Sequence, residues 1–141
     1  MTGKPPTIVT AAVVERNGRL LVARRLKGSH MAGFWEFPGG KCEPGETPED
    51  CLARELIEEL GVRATIGEEM YRTTYTYADR VLDLRFFRCR LDDEPRPLLG
   101  QEVRWVPRTE LTTLEFPPAD AELVARLAAG PFPPQITDTG R

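Results

Sequence analysis

The stretch from Phe37 to Gly61 changes character once, and that change limits the folds open to the chain. Phe37-Pro38-Gly39-Gly40 and Pro44-Gly45 cannot be helix. Thr47-Pro48-Glu49-Asp50 then supplies what a helix start needs: an N-cap hydroxyl, proline at the first helical position and two acids in the first turn. Gly61 ends it. Inside this helix a turn of about 100° per residue sets Glu58 and Glu59 within about 60° on either side of Glu55. The carboxylates form one acidic stripe, while Ala53, Leu56, Ile57 and Leu60 on the far side of the wheel are expected to face a core.

Like charges four residues apart weaken a helix by a few tenths of a kcal/mol, and Arg54, four residues before Glu58, offsets only part of that. A cation would remove the cost. Clustered carboxylates are hard oxygen ligands, suited to Mg²⁺ or Mn²⁺ and poorly to Zn²⁺, and Mg²⁺ in turn suggests phosphates. A solvated acidic helix face is the alternative, and the loop ahead of the helix weighs against it.

Gly40, Glu46, Arg54, Glu55, Leu56, Glu58, Glu59, Gly61 and Val62 stand at the spacing of a known signature: glycine, glutamate six on, then Arg-Glu-apolar-x-Glu-Glu-x-Gly-apolar. On these residues the chain resembles the Nudix hydrolases. Seven fixed identities at roughly one in ten each make a chance match on the order of 10⁻⁵. The resemblance implies an α/β/α sandwich whose signature forms a loop-helix-loop at the sheet edge. It also implies Mg²⁺ held by Glu55, Glu58, Glu59 and the Gly39 carbonyl, with Arg54 orienting a glutamate and Lys41 stabilising leaving-group charge.

The rest of the chain fits such a fold. Ile8–Val14 and Leu20–Ala23 are strand-like and joined through Asn17-Gly18, which predicts a hairpin. Residues 62–77 are expected to be extended with a break at Gly67, and 81–90 to pair with them across Ala78-Asp79-Arg80. Glu102–Val106 is a further strand ended by Pro107, and Asp120–Ala129 a helix stopped by Gly130-Pro131. Strands on both sides of the first long helix predict an α/β fold, a mixed sheet with helices on both faces, over residues 1–130. Residues 131–141 are expected to be a flexible tail.

At 141 residues, 40% hydrophobic and net charge -3, one core should suffice, and neither duplex nucleic acid nor an anionic membrane is an expected partner. An anionic substrate must be met locally, for which Arg24, Arg25, Lys27 and Lys41 are candidates, although exposed arginines at a strand end are also commonly just solvated. Cys42, Cys51 and Cys89 are odd in number and fit no metal spacing, so they read as reduced thiols in a cytoplasmic protein, monomeric or homodimeric. The longest apolar run, Ile8–Val14, is too short to span a bilayer. His30 alone cannot build a multi-histidine zinc site, and a histidine-based triad is not expected.

Beyond the signature, Arg24-Arg25, His30-Met31-Ala32, Glu36–Lys41, Asp79-Arg80 and Phe116-Pro117-Pro118-Ala119 resemble the bacterial MutT branch, which cleanses oxidised purine nucleotides such as 8-oxo-dGTP. That branch cuts a nucleoside triphosphate to monophosphate and pyrophosphate, and the resemblance puts Phe37, Asp79, Arg80 and Asp120 near the base. By themselves Phe37 also reads as core and Asp120 as a helix cap. Two departures stand out. Asp120 replaces an asparagine, so the base pattern differs or Asp120 is protonated; relatives acting on CTP and dCTP share the Pro-Ala-Asp run, which keeps a pyrimidine substrate open. Leu99 stands where relatives carry an extra glutamate, and Glu102 is the nearest acid after it. A catalytically inactive nucleotide sensor, an isomerase, and a hydrolase of ADP-ribose or dinucleoside polyphosphates are the other readings.

Overall fold

The computed structural model describes residues 5–130; the expected tail lies outside them. Strand β1 (Thr7–Arg16) turns into β2 (Arg19–Arg24) at Asn17 and Gly18, whose φ values of 51° and 76° are the left-handed pair that an Asn-Gly hairpin uses. Two short strands follow, β3 (Trp35–Glu36) and β4 (Gly39–Lys41), then helix α1 (Pro48–Leu60). Strands β5 (Ala64–Tyr77) and β6 (Arg80–Leu91) form a long hairpin, and β7 (Val103–Pro107), two 3₁₀ turns and helix α2 (Ala121–Ala129) complete the described residues.

Strand β1 is central. It runs parallel to β6 from Thr7/Leu82 to Val14/Cys89, antiparallel to β4 over Val9–Ala11, and antiparallel to β2 at Glu15 and Arg16. Strand β2 in turn carries β3 and β7, and β6 carries β5, giving a mixed sheet of seven strands. The break expected at Gly67 is a bulge between the Ile66 and Glu69 pairings. A Cβ on Gly67 would come within 2.7 Å of the Arg88 carbonyl oxygen, so glycine lets the two backbones close there.

Alternation along the strands sends side chains to two cores. Val13, Leu20, Val22 and Phe86 join Leu123, Val124 and Leu127 of α2 on one face; Ala12, Val14, Leu21 and Phe87 join Leu52, Leu56 and Leu60 of α1 on the other. The sheet is therefore sandwiched between helices, as expected. The three α1 leucines are fully buried, each worth roughly 1.5–3 kcal/mol of transfer free energy. Helix α1 is capped as its sequence predicts: Thr47 Oγ1 accepts from the Asp50 N–H at 3.1 Å, Pro48 opens the first turn, and Gly61 closes the end at φ 64°.

Four expectations need correction. Ile57 does not face the core and is 49% exposed, because the helix seats on the sheet along Leu52, Leu56 and Leu60, about 100° around the wheel from Ile57. The stretch from Phe37 read only as non-helical holds β4, with β3 just ahead of it, both too short to show periodicity. Helix α2 begins at Ala121, after a 3₁₀ turn ending at Asp120, whose side chain caps nothing. The cysteines are not all free thiols. Cys42 and Cys51 form a disulfide with Cα atoms 5.2 Å apart, since the turn at Pro44-Gly45 folds the loop back onto the first turn of α1; Cys89 is buried and free.

Candidate active site

The acidic stripe divides when α1 docks. Measured around the wheel from buried Leu56, Glu59 lies about 60° away, Glu55 about 100° away and Glu58 about 160° away. Their environments follow that order: Glu59 and Glu55 are partly buried at the edge of the sheet, whereas Glu58 projects outward with its side chain 57% exposed. Glu55 and Glu59 are hydrogen-bonded to each other, and the Gly39 backbone also bonds Glu59. Burial pushes the Glu59 carboxyl up to about 9, with the hydrogen bond and charge of Glu55 and the charge of Glu36 adding to it. Two carboxyls thus meet where one cation could serve both. An all-oxygen donor set with excess negative charge fits a hard divalent ion.

Two glycines stand beside this pair. A Cβ on Gly40 would lie 2.4 Å from the Glu55 carboxyl carbon, and one on Gly39 would lie 2.0 Å from the Thr10 carbonyl oxygen. At Gly39 the backbone approaches β1 more closely than any side chain allows, and at Gly40 a side chain would displace the Glu55 carboxyl.

Arg54 ties loop to helix. Its Nε and Nη2 donate to the two oxygens of Glu46 at 2.7 and 3.0 Å, its Nη1 donates to Glu55 and to Glu58 at 3.2 Å each, and Nη2 also reaches the Lys41 carbonyl. The guanidinium holds Glu46 down to about 2. Cys42, Glu46 and Cys51 lie close together, but the sulfurs are bonded to each other and Glu46 is engaged by Arg54, so in this state they are not a metal site.

A cavity of about 560 Å³ opens beside Glu59. Its wall carries Glu36, Arg25 and Asp120, together with Phe37, Lys41, Tyr75, Leu99 and Gln101. Arg25 Nη1 donates to Glu36 at 2.6 Å, yet burial still raises the Glu36 carboxyl above its ordinary value. Asp120 is 7% exposed, and burial, reinforced by the charge of Glu36 and opposed by Arg25, pushes it up to about 7. Gln101 is also buried: its Nε2 donates to the Glu59 carbonyl at 3.2 Å and its Oε1 accepts the Leu99 N–H at 3.0 Å. The Leu98 N–H donates to the same Glu59 carbonyl at 3.1 Å.

Of the residues singled out in the sequence, Arg24, Arg25, Phe37, Gly39, Lys41, Glu59 and Asp120 line this cavity. Arg24 is half engaged elsewhere, paired with Glu102 at 3.5 Å and lying over the Trp35 ring. Phe37 belongs to the core as well, stacked on Phe116 with ring centres 5.3 Å apart. Asp79 and Arg80 do not line the cavity; they sit exposed at the tip of the β5–β6 hairpin. Glu102 is held by Arg24 and Arg104 and so does not replace the acid absent at Leu99. Sequence reasoning missed Glu36 and Gln101 as site residues. The alternation of core Trp35 and Phe37 was the one available sign that Glu36 faces another way.

Comparison with known proteins identifies the family. A family model described as NUDIX domain matches residues 9–126. The "8-oxo-dGTP diphosphatase" of Haemophilus influenzae is 40% identical over 123 residues, covering 85% of this chain and 90% of that protein. The "CTP pyrophosphohydrolase" of Escherichia coli is 36% identical over 124 residues, covering 86% and 90%. The solution structure of the E. coli ORF135 protein superposes with a TM-score of 0.75 at 35% identity, covering 87% of this chain and 89% of that one. With Glu55 and Glu59 of the signature brought together beside β4, and residues 9–126, from within β1 to within α2, matched, the chain belongs to the NUDIX domain family.

Proposed function

We propose that this protein is a Mg²⁺-dependent nucleoside triphosphate pyrophosphohydrolase that releases nucleoside monophosphate and pyrophosphate, with oxidised purine nucleotides such as 8-oxo-dGTP as substrates. One observation carries the reading: a single cavity is lined both by Glu59 of the acidic helix and by the partly buried Glu36–Arg25 pair with buried Asp120. The first suits a triphosphate with its cation, and the second suits the polar edge of a base.

Glu55 and Glu59, with Glu58 and the Gly39 carbonyl, are the groups that would hold Mg²⁺. When bound, the cation neutralises triphosphate charge and polarises phosphorus toward water. Arg54 holds Glu55 in place from its anchor on Glu46. Lys41 stands on the cavity wall, where its ammonium can take up the charge of departing pyrophosphate.

Base choice follows from Asp120. An ionised carboxylate only accepts hydrogen bonds, whereas a neutral carboxyl donates one and accepts one, as the amide of asparagine does. With Asp120 pushed up to about 7, the neutral form is available near neutral pH. It could donate to O6 and accept from the N7–H that 8-oxoguanine has; guanine offers an acceptor at both positions. The same neutral carboxyl also matches cytosine, with its N3 acceptor beside the N4 donor. CTP or dCTP is therefore the second reading, and the 36% identical relative named for CTP favours it. Measuring kcat/KM with Mg²⁺ on 8-oxo-dGTP, dGTP, CTP, dCTP and ADP-ribose tests both. A lead of at least tenfold for 8-oxo-dGTP over dGTP is expected; a larger value for CTP or dCTP would move the assignment, and no turnover of any triphosphate would leave a binding module.

The raised carboxyls also predict how stability responds to metal. Without a divalent ion the folded protein keeps protons on Glu59 and Asp120 that the unfolded chain has already lost above its ordinary carboxyl values. Stability should therefore fall as pH rises from about 5 through about 9. Mg²⁺ competes with the proton on Glu59, so the gain in Tm on adding it should be larger at pH 8.5 than at pH 5.5. Melts with EDTA and with Mg²⁺ at both values check this, and equal gains would mean that Mg²⁺ displaces no proton from Glu59.

A further inference from the structure

The Cys42–Cys51 disulfide closes a ring whose contents are the supports of the catalytic helix. Residues 42–51 include Glu46, whose two oxygens hold Arg54, and Glu43, whose Oε2 lies 4.0 Å from the same guanidinium. One end of the ring continues β4, where Gly40 packs against the Glu55 carboxyl. The other end is Cys51, fully buried in the first turn of α1. The crosslink therefore joins the two pieces that must stay in register at the acidic site: the glycine strand and the glutamate helix.

We propose that Cys42–Cys51 is a redox modification site, opened by dithiol reductants, whose oxidised state holds the glycine loop against α1 and whose reduced state weakens the binding of Mg²⁺. The two sulfurs are unequal in a way that suits exchange. Cys42 is partly exposed in the loop and open to attack, while Cys51 is fully buried. A reductant thiolate attacks Cys42 Sγ, forms a mixed disulfide there and expels Cys51 as the thiolate. That leaving sulfur lies 3.4 Å from Thr10 Oγ1, a hydroxyl able to donate to it, and in the first turn of a helix, where negative charge is favoured. The reductant's second thiol then attacks its own sulfur in the mixed disulfide, releasing Cys42. Two electrons and two protons pass to the protein, and the reductant leaves as its own disulfide. Cys89 takes no part: burial pushes its thiol up to about 12.

Reduction removes the crosslink but leaves the Thr47 cap, the β1–β4 pairing and the Glu46–Arg54 pair. The protein should stay folded with a looser loop. The supports lie one remove from the proposed metal ligands, so half-saturating Mg²⁺ should rise about threefold to tenfold on reduction, below the full range seen when such supports are deleted.

The inference rests on the pyrophosphohydrolase reading, and the test separates the two. The whole protein is prepared oxidised and, in parallel, with excess dithiothreitol. Alkylation after denaturation should modify one cysteine in the oxidised form and three in the reduced form. Amide exchange over residues 40–50 should quicken on reduction, and the Mg²⁺ dependence of triphosphate turnover should shift as stated. Cys42→Ser, at a partly exposed position, should match the reduced wild type with or without reductant. Three alkylatable cysteines after oxidation would overturn the proposal, as would identical exchange and identical Mg²⁺ dependence in the two forms. Faster exchange on reduction with no turnover in either form would support the redox site and overturn the enzymatic reading alone.

Discussion

Glu59→Gln is expected to lower kcat at saturating Mg²⁺ by at least a hundredfold, a loss of about 2.7 kcal/mol or more of transition-state stabilisation. Glu59 is the signature glutamate that lines the cavity, and it lies against Glu55. The amide keeps the size and one acceptor but loses the charge that opposes the cation. Glu58→Gln makes the internal comparison: its side chain is 57% exposed and bound to Arg54, so a smaller loss is expected there. Steady-state kinetics on both variants over a Mg²⁺ titration decide the order. A loss below tenfold for Glu59→Gln would remove it from the mechanism.

The second large effect is in pH dependence. If base recognition uses the neutral carboxyl of Asp120, kcat/KM for 8-oxo-dGTP should fall about tenfold per pH unit above about 7, following the protonated fraction. Asp120→Asn supplies a donor and an acceptor at every pH. The ratio of wild type to Asp120→Asn should therefore decline toward about one hundredth of its acid-limb value by pH 9, while titrations of metal and triphosphate common to both proteins cancel. A ratio that stays flat from pH 6 to 9 would mean that Asp120 reads the base as a carboxylate or does not touch it.

The chemistry of the helix was legible in the sequence because it depends on neighbours. Thr47, Pro48 and Gly61 mark the ends of α1, and the spacing of Glu55, Glu58 and Glu59 restricts them to one arc of it. Which arc meets the sheet was less visible. Docking along Leu52, Leu56 and Leu60 buries Glu59, exposes Ile57 and turns Glu58 to solvent, and that choice depends on the partner surface as well as on the helix's own pattern. Contacts distant in sequence were least visible. Arg108, in the 3₁₀ turn after β7, pairs with Glu15 of β1 and bonds the Leu127 and Gly130 carbonyls at the end of α2, and neither its charge nor its spacing announces this. The disulfide is a similar case: nine residues apart in sequence says nothing until a turn brings the sulfurs together. Asp120 was ambiguous between cap and base contact because both uses favour an acid at that point in the chain, and the absence of a capping bond removes the first.

Glu59 is gripped at both its ends. Its carboxyl faces the cavity, while its carbonyl accepts from the Gln101 side chain and the Leu98 N–H of the loop that also places Leu99 on the cavity wall. With Glu59 as a metal ligand, as proposed, substrate scope and turnover would be mechanically geared to each other: reshaping that loop to admit a different base would also tug on this carboxylate. Loop grafts from relatives would have to carry Gln101 with them to change one property without the other.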